Sequence, residues 1–255
     1  MLYLVKPSLL KDPRILGMMK ASGDDPETNL FSSQSRVDSW YAVNQRCPGE
    51  PWKHSRELYS KHPGATILIT GSGPSVKTLG KIPKDWVVMS INRSVTVPER
   101  VDYWCACDLD AISQVAPAAA VTRVFGIQTY GKMHGKPFYA VEFNGEPLRW
   151  KNPETRPLYW NETTLGWVIH LAIRMGASRI ITIGTELSQA GQFDGFVQKG
   201  ATKDWQIAQH LGVRDRMIEM FTPVEKLQWY ERPVEILDAS NGYLPIPKVR
   251  LADAV

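Results

Sequence analysis

Cysteine is scarce in this chain, with Cys47, Cys105 and Cys107 the only three in 255 residues. Three thiols cannot all pair, which excludes a small disulfide-held scaffold. Cys105 and Cys107 alternate within an apolar stretch, the setting of buried thiols in a reduced compartment, so the expected location is cytoplasmic. No second Cys/His cluster accompanies them, and no metal ligands are assigned. Long apolar runs are also missing. The strongest, such as Ile180 to Ile183, fall far short of the roughly 20 residues that a membrane helix needs. The opening MLYLVKPSLLKDPR lacks a basic region followed by a full apolar signal core, so export is not expected. There is no internal repeat. Charge of one sign is not in large excess: 30 lysines and arginines face 26 aspartates and glutamates, for a net +4. The balance suits an anionic small ligand and leaves room for a nucleic-acid substrate, but the bases are scattered and demand neither.

What is present is the composition of an ordinary globular protein, 43% hydrophobic and 22% charged, long enough for a substantial core. Nine tryptophans are many. Trp40, Trp52, Trp150 and Trp160 stand in polar, Pro-rich surroundings, as anchors for long loops or as binding surfaces. Residues 1–64 read as an irregular N-terminal extension, rich in turn formers. From Ala65 the texture changes. ATILIT, DWVVMSIN, VDYWCACD, VTRVFGI, RIITIGTE and VEILDAS are short β-branched or aromatic runs that read as buried strands. GSGPSVKTLGKI reads as a loop entering a helix closed by Pro83. NETTLGWVIHLAIRMGAS reads as a helix, with Leu165, Val168, Ile169, Ala172, Ile173 and Met175 near helical spacing and Gly176 just past its end. A polar stretch at 128–160 is too long for a plain connection and predicts a lid or small insertion. Strands alternating with helices predict an α/β, Rossmann-like domain over 65–255, with a mostly parallel sheet and helices on both faces.

In such sheets ligands sit at the carboxyl ends of the strands. Here those ends read GSGPS, NR, D, GTE and SNG. In the first, Gly71 lets the chain turn off the strand. Gly73, having no Cβ, leaves room for a phosphate or ribose, so a bulky residue there should remove binding and spare the fold. Ser72 and Ser75 bring hydroxyls, and Pro74 suits a first helical position with free amides behind it. Val76 breaks both the Walker A and the dinucleotide fingerprints at a required glycine, and Asn92 stands where the latter wants an acid at the next strand end. Asn92 can both donate and accept, toward a nucleoside or in a turn. Asp108, with Asp110 two residues on, suits a ribose hydroxyl, a metal or a helix cap. Thr163 and Thr164 suit a cap or a phosphate. Glu186 and Ser240 close the set. The histidines with a claim to general-base work are His210 and His134, the latter within GKMHGK, because imidazole titrates near working pH.

Taken together, strand–GSGPS–strand–NR, a strand ending in an acid, TT before a helix ending in MGA, then IITIGTE and a closing SNG resemble one group of enzymes. It comprises the bacterial CMP-sialic-acid-dependent sialyltransferases, the motility accessory factors and the 6-hydroxymethylpterin pyrophosphokinase-like proteins. The resemblance covers about residues 65–255. It implies that Gly71, Ser72, Gly73, Pro74, Ser75 and Asn92 contact a nucleotide. It also implies that Asp108, Thr164 and Glu186 fall at donor-binding positions, and that His210 lies in the stretch carrying the base. Ser188 and Phe193 stand about where the sialyltransferases place tyrosines on the donor phosphate, a departure that bears on the identity of the donor.

The expectation is a transferase using a nucleotide-activated donor, a glycosyltransferase of the sialyltransferase-like kind. The donor, with CMP one candidate for its nucleotide, would lay its phosphate against GSGPS and the Thr164 helix start, with Asn92 and Ser240 on the nucleoside. No cofactor is required. The alternatives are a pterin-type pyrophosphokinase, needing Mg²⁺ on Asp108 with Glu186 or Asp110, and a non-catalytic nucleotide-binding protein.

Overall fold

Short β-branched runs become the strands. The computed structural model describes residues 52–108, 121–126, 163–187, 192–194, 234–242 and 244–254, with short pieces at 3–4, 30–31, 111–112, 115, 138–141, 143–144, 158–159, 211–212, 215 and 217. Its strands in chain order are β1 (Tyr3–Leu4), β2 (Leu30–Phe31), β3 (Trp52–His54), β4 (Thr66–Thr70), β5 (Val87–Ile91) and β6 (Tyr103–Ala106). Then follow β7 (Thr122–Gly126), β8 (Phe138–Val141), β9 (Phe143–Asn144), β10 (Leu158–Tyr159), β11 (Arg179–Ile183) and β12 (Glu235–Asp238). Eight of them form one sheet in the order β12-β11-β4-β5-β6-β7-β8-β3, and every pairing in it is parallel. The α/β class with a parallel sheet is as the sequence reads.

From β4 the chain runs outward in order through β5 to β8, while β11 and β12 lie on the other side of β4. The order therefore reverses between β4 and β11. A reversal of this kind leaves a crevice at the carboxyl ends of the two strands, because the connections leave in opposite directions.

Helix α1 (Thr164–Arg174) covers one face. Thr163 caps it, its Oγ1 accepting the Gly166 amide at 2.9 Å, which satisfies one of the unpaired first-turn donors. At its end Gly176 takes φ +98°. The Gly176 amide donates to Ile173 O and the Ala177 amide to Ala172 O, the Schellman pattern that glycine permits. Every residue from Leu165 to Arg174 is buried, not only the apolar stripe, as expected of a helix enclosed on all sides. Ile67, Ile69, Val87, Met89, Cys105 and Val124 of the sheet pack with it in the main core. The amino edge meets the helix end: the amides of Ser60, His62 and Gly64 donate to the carbonyls of Arg174, Met175 and Gly176 at 2.7, 2.7 and 2.8 Å. The start of α1 therefore lies at the carboxyl edge, where Trp167 Nε1 donates to Cys107 Sγ just past β6.

One expectation changes. GSGPSVKTLGKI does not enter an α-helix; Pro74–Thr78 is a single 3₁₀ turn, since Gly80 and Pro83 leave too few residues before β5. On the second face Leu68, Ile181 and Ile183 pack with Trp86, Leu79, Ile82, Val249 and Leu251, so turns and the C-terminal segment cover it there. The edge strand of the sheet is β3, paired with β8. Within 128–160, β8 belongs to the sheet, and Val141 and Leu158 are core residues at 0% and 1% exposure; the rest of the stretch lies mostly outside the described residues.

Candidate functional site

The crevice is built by two strand ends that continue to pair beyond their last strand residues. The Gly71 amide donates to Ile183 O and the Gly73 amide to Gly184 O, both at 2.7 Å. This brings GSGPS against GTE. Gly184 takes φ +73° and donates its amide to Ser75 Oγ at 3.0 Å. A Cβ at Gly73 would overlap the Glu186 carboxylate and stand 2.8 Å from Gly184 O. The room at Gly73 is thus taken by the protein itself, and a larger residue there disturbs the chain packing as well as any ligand.

Glu186 is the centre of this arrangement. It is 6% exposed, and its Oε1 accepts the Ser75 amide at 2.6 Å. An intramolecular carboxylate therefore occupies the amide that the sequence offers to a phosphate. A phosphate in the same place would compete for the donor and be repelled. The other oxygen, Glu186 Oε2, is buried and has no hydrogen-bond partner. The backbone of Gly242 closes against Glu186 from the β12 side, where a Cβ would come within 2.6 Å of Glu186 Cα.

Asn92 follows β5 in a left-handed turn, φ 52°, a conformation asparagine tolerates. Its carbonyl accepts Trp104 Nε1 at 2.8 Å. Its side-chain Oδ1 is buried without a partner. Arg93 next to it pairs with Asp194, Nε to Oδ2 at 2.6 Å. Segment 192–194 thereby lies back over the crevice, with the Phe193 amide donating to Ser72 O at 2.8 Å. Beside Phe193, Gln192 Oε1 is a third buried, unpartnered oxygen. Among the described residues these three are the side-chain oxygens in that state, and each costs about 1–3 kcal/mol if left so. Glu186 and Gln192 adjoin loop 71–75 through the Ser75 and Ser72 contacts, and Asn92 follows the neighbouring strand.

The remaining sequence-selected residues are placed as follows. Ser72 lends its carbonyl to segment 192–194 and Pro74 opens the 3₁₀ turn. The Asp108 carbonyl accepts the Ile112 amide at 3.1 Å, which heads a helical turn at 111–112 beyond β6. Thr164 is the first residue of α1, while Thr163 is the cap. Ser240 is 4% exposed and its Oγ donates to Asp238 at 2.6 Å, so its hydroxyl is spent inside the fold. His210, His134, Asp110 and Ser188 lie outside the described residues. His170 is buried in α1, where Arg174 Nε donates to its Nε2 at 3.1 Å. Burial, together with the Arg174 charge, holds its pKa well below the usual value. His62 bonds Tyr103 Oη at 2.7 Å at the opposite, amino edge of the sheet.

Sequence reasoning missed Asp238, the last residue of β12. It is 0% exposed. Its Oδ1 accepts from Ser240 N at 2.9 Å and from Thr182 and Thr185 Oγ1 at 3.1 Å each, in addition to Ser240 Oγ. Its Oδ2 pairs with Lys248 Nζ. An aspartate inside an apolar run, followed two residues on by serine, was the available signal, because a buried carboxylate must be paired. Beside this hub, and sharing Ser240 and Lys248 with it, an open cleft of about 610 Å³ is also lined by Asn241, Gly242 and Arg250.

The chain matches no protein-family model, and no curated protein matches it.

Proposed function

We propose that this protein is a transferase acting on a nucleotide-activated donor, a glycosyltransferase of the sialyltransferase-like kind. The observation that carries the reading is the position of GSGPS at the point where strand order reverses, between β4 and β11, with buried unpartnered oxygens around it. Open α/β sheets bind their ligands at such points. The donor would lie over the crevice, its nucleoside toward Asn92. Its phosphate would lie nearer the α1 start at Thr164 than the loop, since Glu186 already holds the Ser75 amide. His210 or His134 would deprotonate the acceptor hydroxyl.

The test is a thermal-shift screen against CMP, CDP, UDP, GDP and ATP, followed by single-turnover transfer in EDTA. A ligand at about 100 times its Kd adds about 2.7 kcal/mol, so one nucleotide should raise the melting temperature by several degrees. No shift with any of the five would sink the reading. A shift with turnover abolished by EDTA would favour the Mg²⁺-dependent pyrophosphokinase instead.

A further inference from the structure

The unpartnered oxygens fix what kind of group the crevice takes. Glu186 Oε2, Asn92 Oδ1 and Gln192 Oε1 belong to residues that adjoin loop 71–75 from three sides. Glu186 comes from the β11 side and is tied to Ser75. Gln192 adjoins Phe193, which is tied to Ser72. Asn92 stands two residues beyond Ser90 on β5, and Ser72 stands two beyond Thr70 on β4, the two strands being in register at Thr70 and Ser90. All three atoms are acceptors. What satisfies them is a group that donates.

The phosphodiester of a nucleotide-linked sugar carries no P–OH to donate, and the Glu186 carboxylate would repel it. A hard cation takes six or more oxygens, and here the nearby Asp194 is already paired with Arg93, whose guanidinium adds positive charge beside Asn92. Sugar hydroxyls fit: neutral, rich in donors and presented as adjacent pairs.

We propose that the GSGPS loop reads the vicinal hydroxyls of a sugar rather than cradling a phosphate, through Glu186, Gln192 and Asn92. This rests on the donor being a nucleotide. The diol comes from the ribose or from the transferred sugar, and both present the same chemistry. Glu186 has a divided role: one oxygen fixes the loop through Ser75, and the other receives the diol. Gln192, supplied by the segment folded back over the loop, is a specificity residue that no motif in the sequence marks.

The experiment compares affinities of CMP, UMP, GMP and AMP with their 2′,3′-dideoxy forms, and with CMP-linked sialic acid and UDP-linked glucose, for the wild type and Glu186→Gln. The amide variant keeps the acceptor for Ser75 and puts a donor where the diol needs an acceptor. A ribose site gives at least tenfold weaker dideoxy binding, falling below threefold in the variant. A transferred-sugar site instead gives a tenfold gain for the sugar-linked form over its bare nucleotide, again lost in the variant. Gln192→Ala gives a second reading of the same discrimination, should Glu186→Gln fold poorly. Nucleotide binding that ignores both the ribose hydroxyls and the attached sugar overturns the diol site while leaving the nucleotide reading intact. No binding by any nucleotide removes both.

Discussion

Thr185 and Glu186 are neighbours in sequence and belong to opposite worlds. Thr185 turns toward β12 and joins the shell around Asp238, while Glu186 turns toward β4 and meets the GSGPS loop. Both regions centre on a carboxylate with little or no exposure at the carboxyl edge of the same sheet. Asp238 has both oxygens engaged, by three hydroxyls, an amide and an ammonium. Glu186 has one engaged and one bare. The fully paired acid stabilises three chain segments against one another and has no capacity left for a ligand. The half-paired acid leaves its second oxygen for a group from outside. Burial alone does not separate a structural charge from a functional one; the tally of partners does.

The comparison breaks most visibly at Asp238. Replacing it by Ala strands the donors of Ser240, Thr182 and Thr185 in a buried space, and urea denaturation should show a loss of about 3–5 kcal/mol. Glu186→Gln, measured beside it, should lie within about 1 kcal/mol of wild type, because the Ser75 bond survives and a buried charge is removed. Equal losses in the two variants would dissolve the distinction. Next in size is Gly73→Ala. Its methyl group would collide with the Glu186 carboxylate and Gly184 O, so a cost of about 1–3 kcal/mol is expected, together with loss of any nucleotide-induced shift. An unchanged denaturation midpoint would show that the two loops are not held as closely as described.

A smaller effect comes from a third buried group, away from both carboxylates. The folded His170 has its pKa depressed, whereas in the unfolded chain it binds a proton near pH 6.5. The unfolded state therefore binds more protons below that value. Stability is complete above about pH 6.5 and falls as the pH drops below it, with a slope of up to about 1.4 kcal/mol per pH unit. Chemical denaturation between pH 7 and 5 should show the slope in the wild type and its flattening in His170→Gln. A profile unaltered by that substitution would assign the acid sensitivity elsewhere.

The strands were legible because their cause is local: TILIT, VVMSI and RIITI are apolar and β-branched whatever surrounds them. Helix α1 was legible in its cap, its spacing and Gly176. The turn at Pro74–Thr78 was less so, because a proline after a glycine opens a 3₁₀ turn as readily as a helix, and only the short distance to β5 decides between them. Strand β3 is three residues at a sheet edge, held by pairing with β8 and by no pattern of its own. For the site, Gly73 and Glu186 were both singled out, but their contact was not visible. They are more than a hundred residues apart, and only the adjacency of β4 and β11 joins them. Asp238 was hidden for the same reason, since its partners come from β11, the following turn and Lys248.

The enclosure of α1 also sets a limit on local motion. A helix with a wet face frays and reopens on its own, but one covered from Leu165 to Arg174 cannot expose its amides until the sheet beneath it separates. Amide hydrogens in the middle of α1 then exchange with deuterium only through global opening of the domain. The slowest of them is a built-in gauge of the whole molecule's stability. Events confined to the crevice leave that gauge still, unless they change the balance between the folded and unfolded chain.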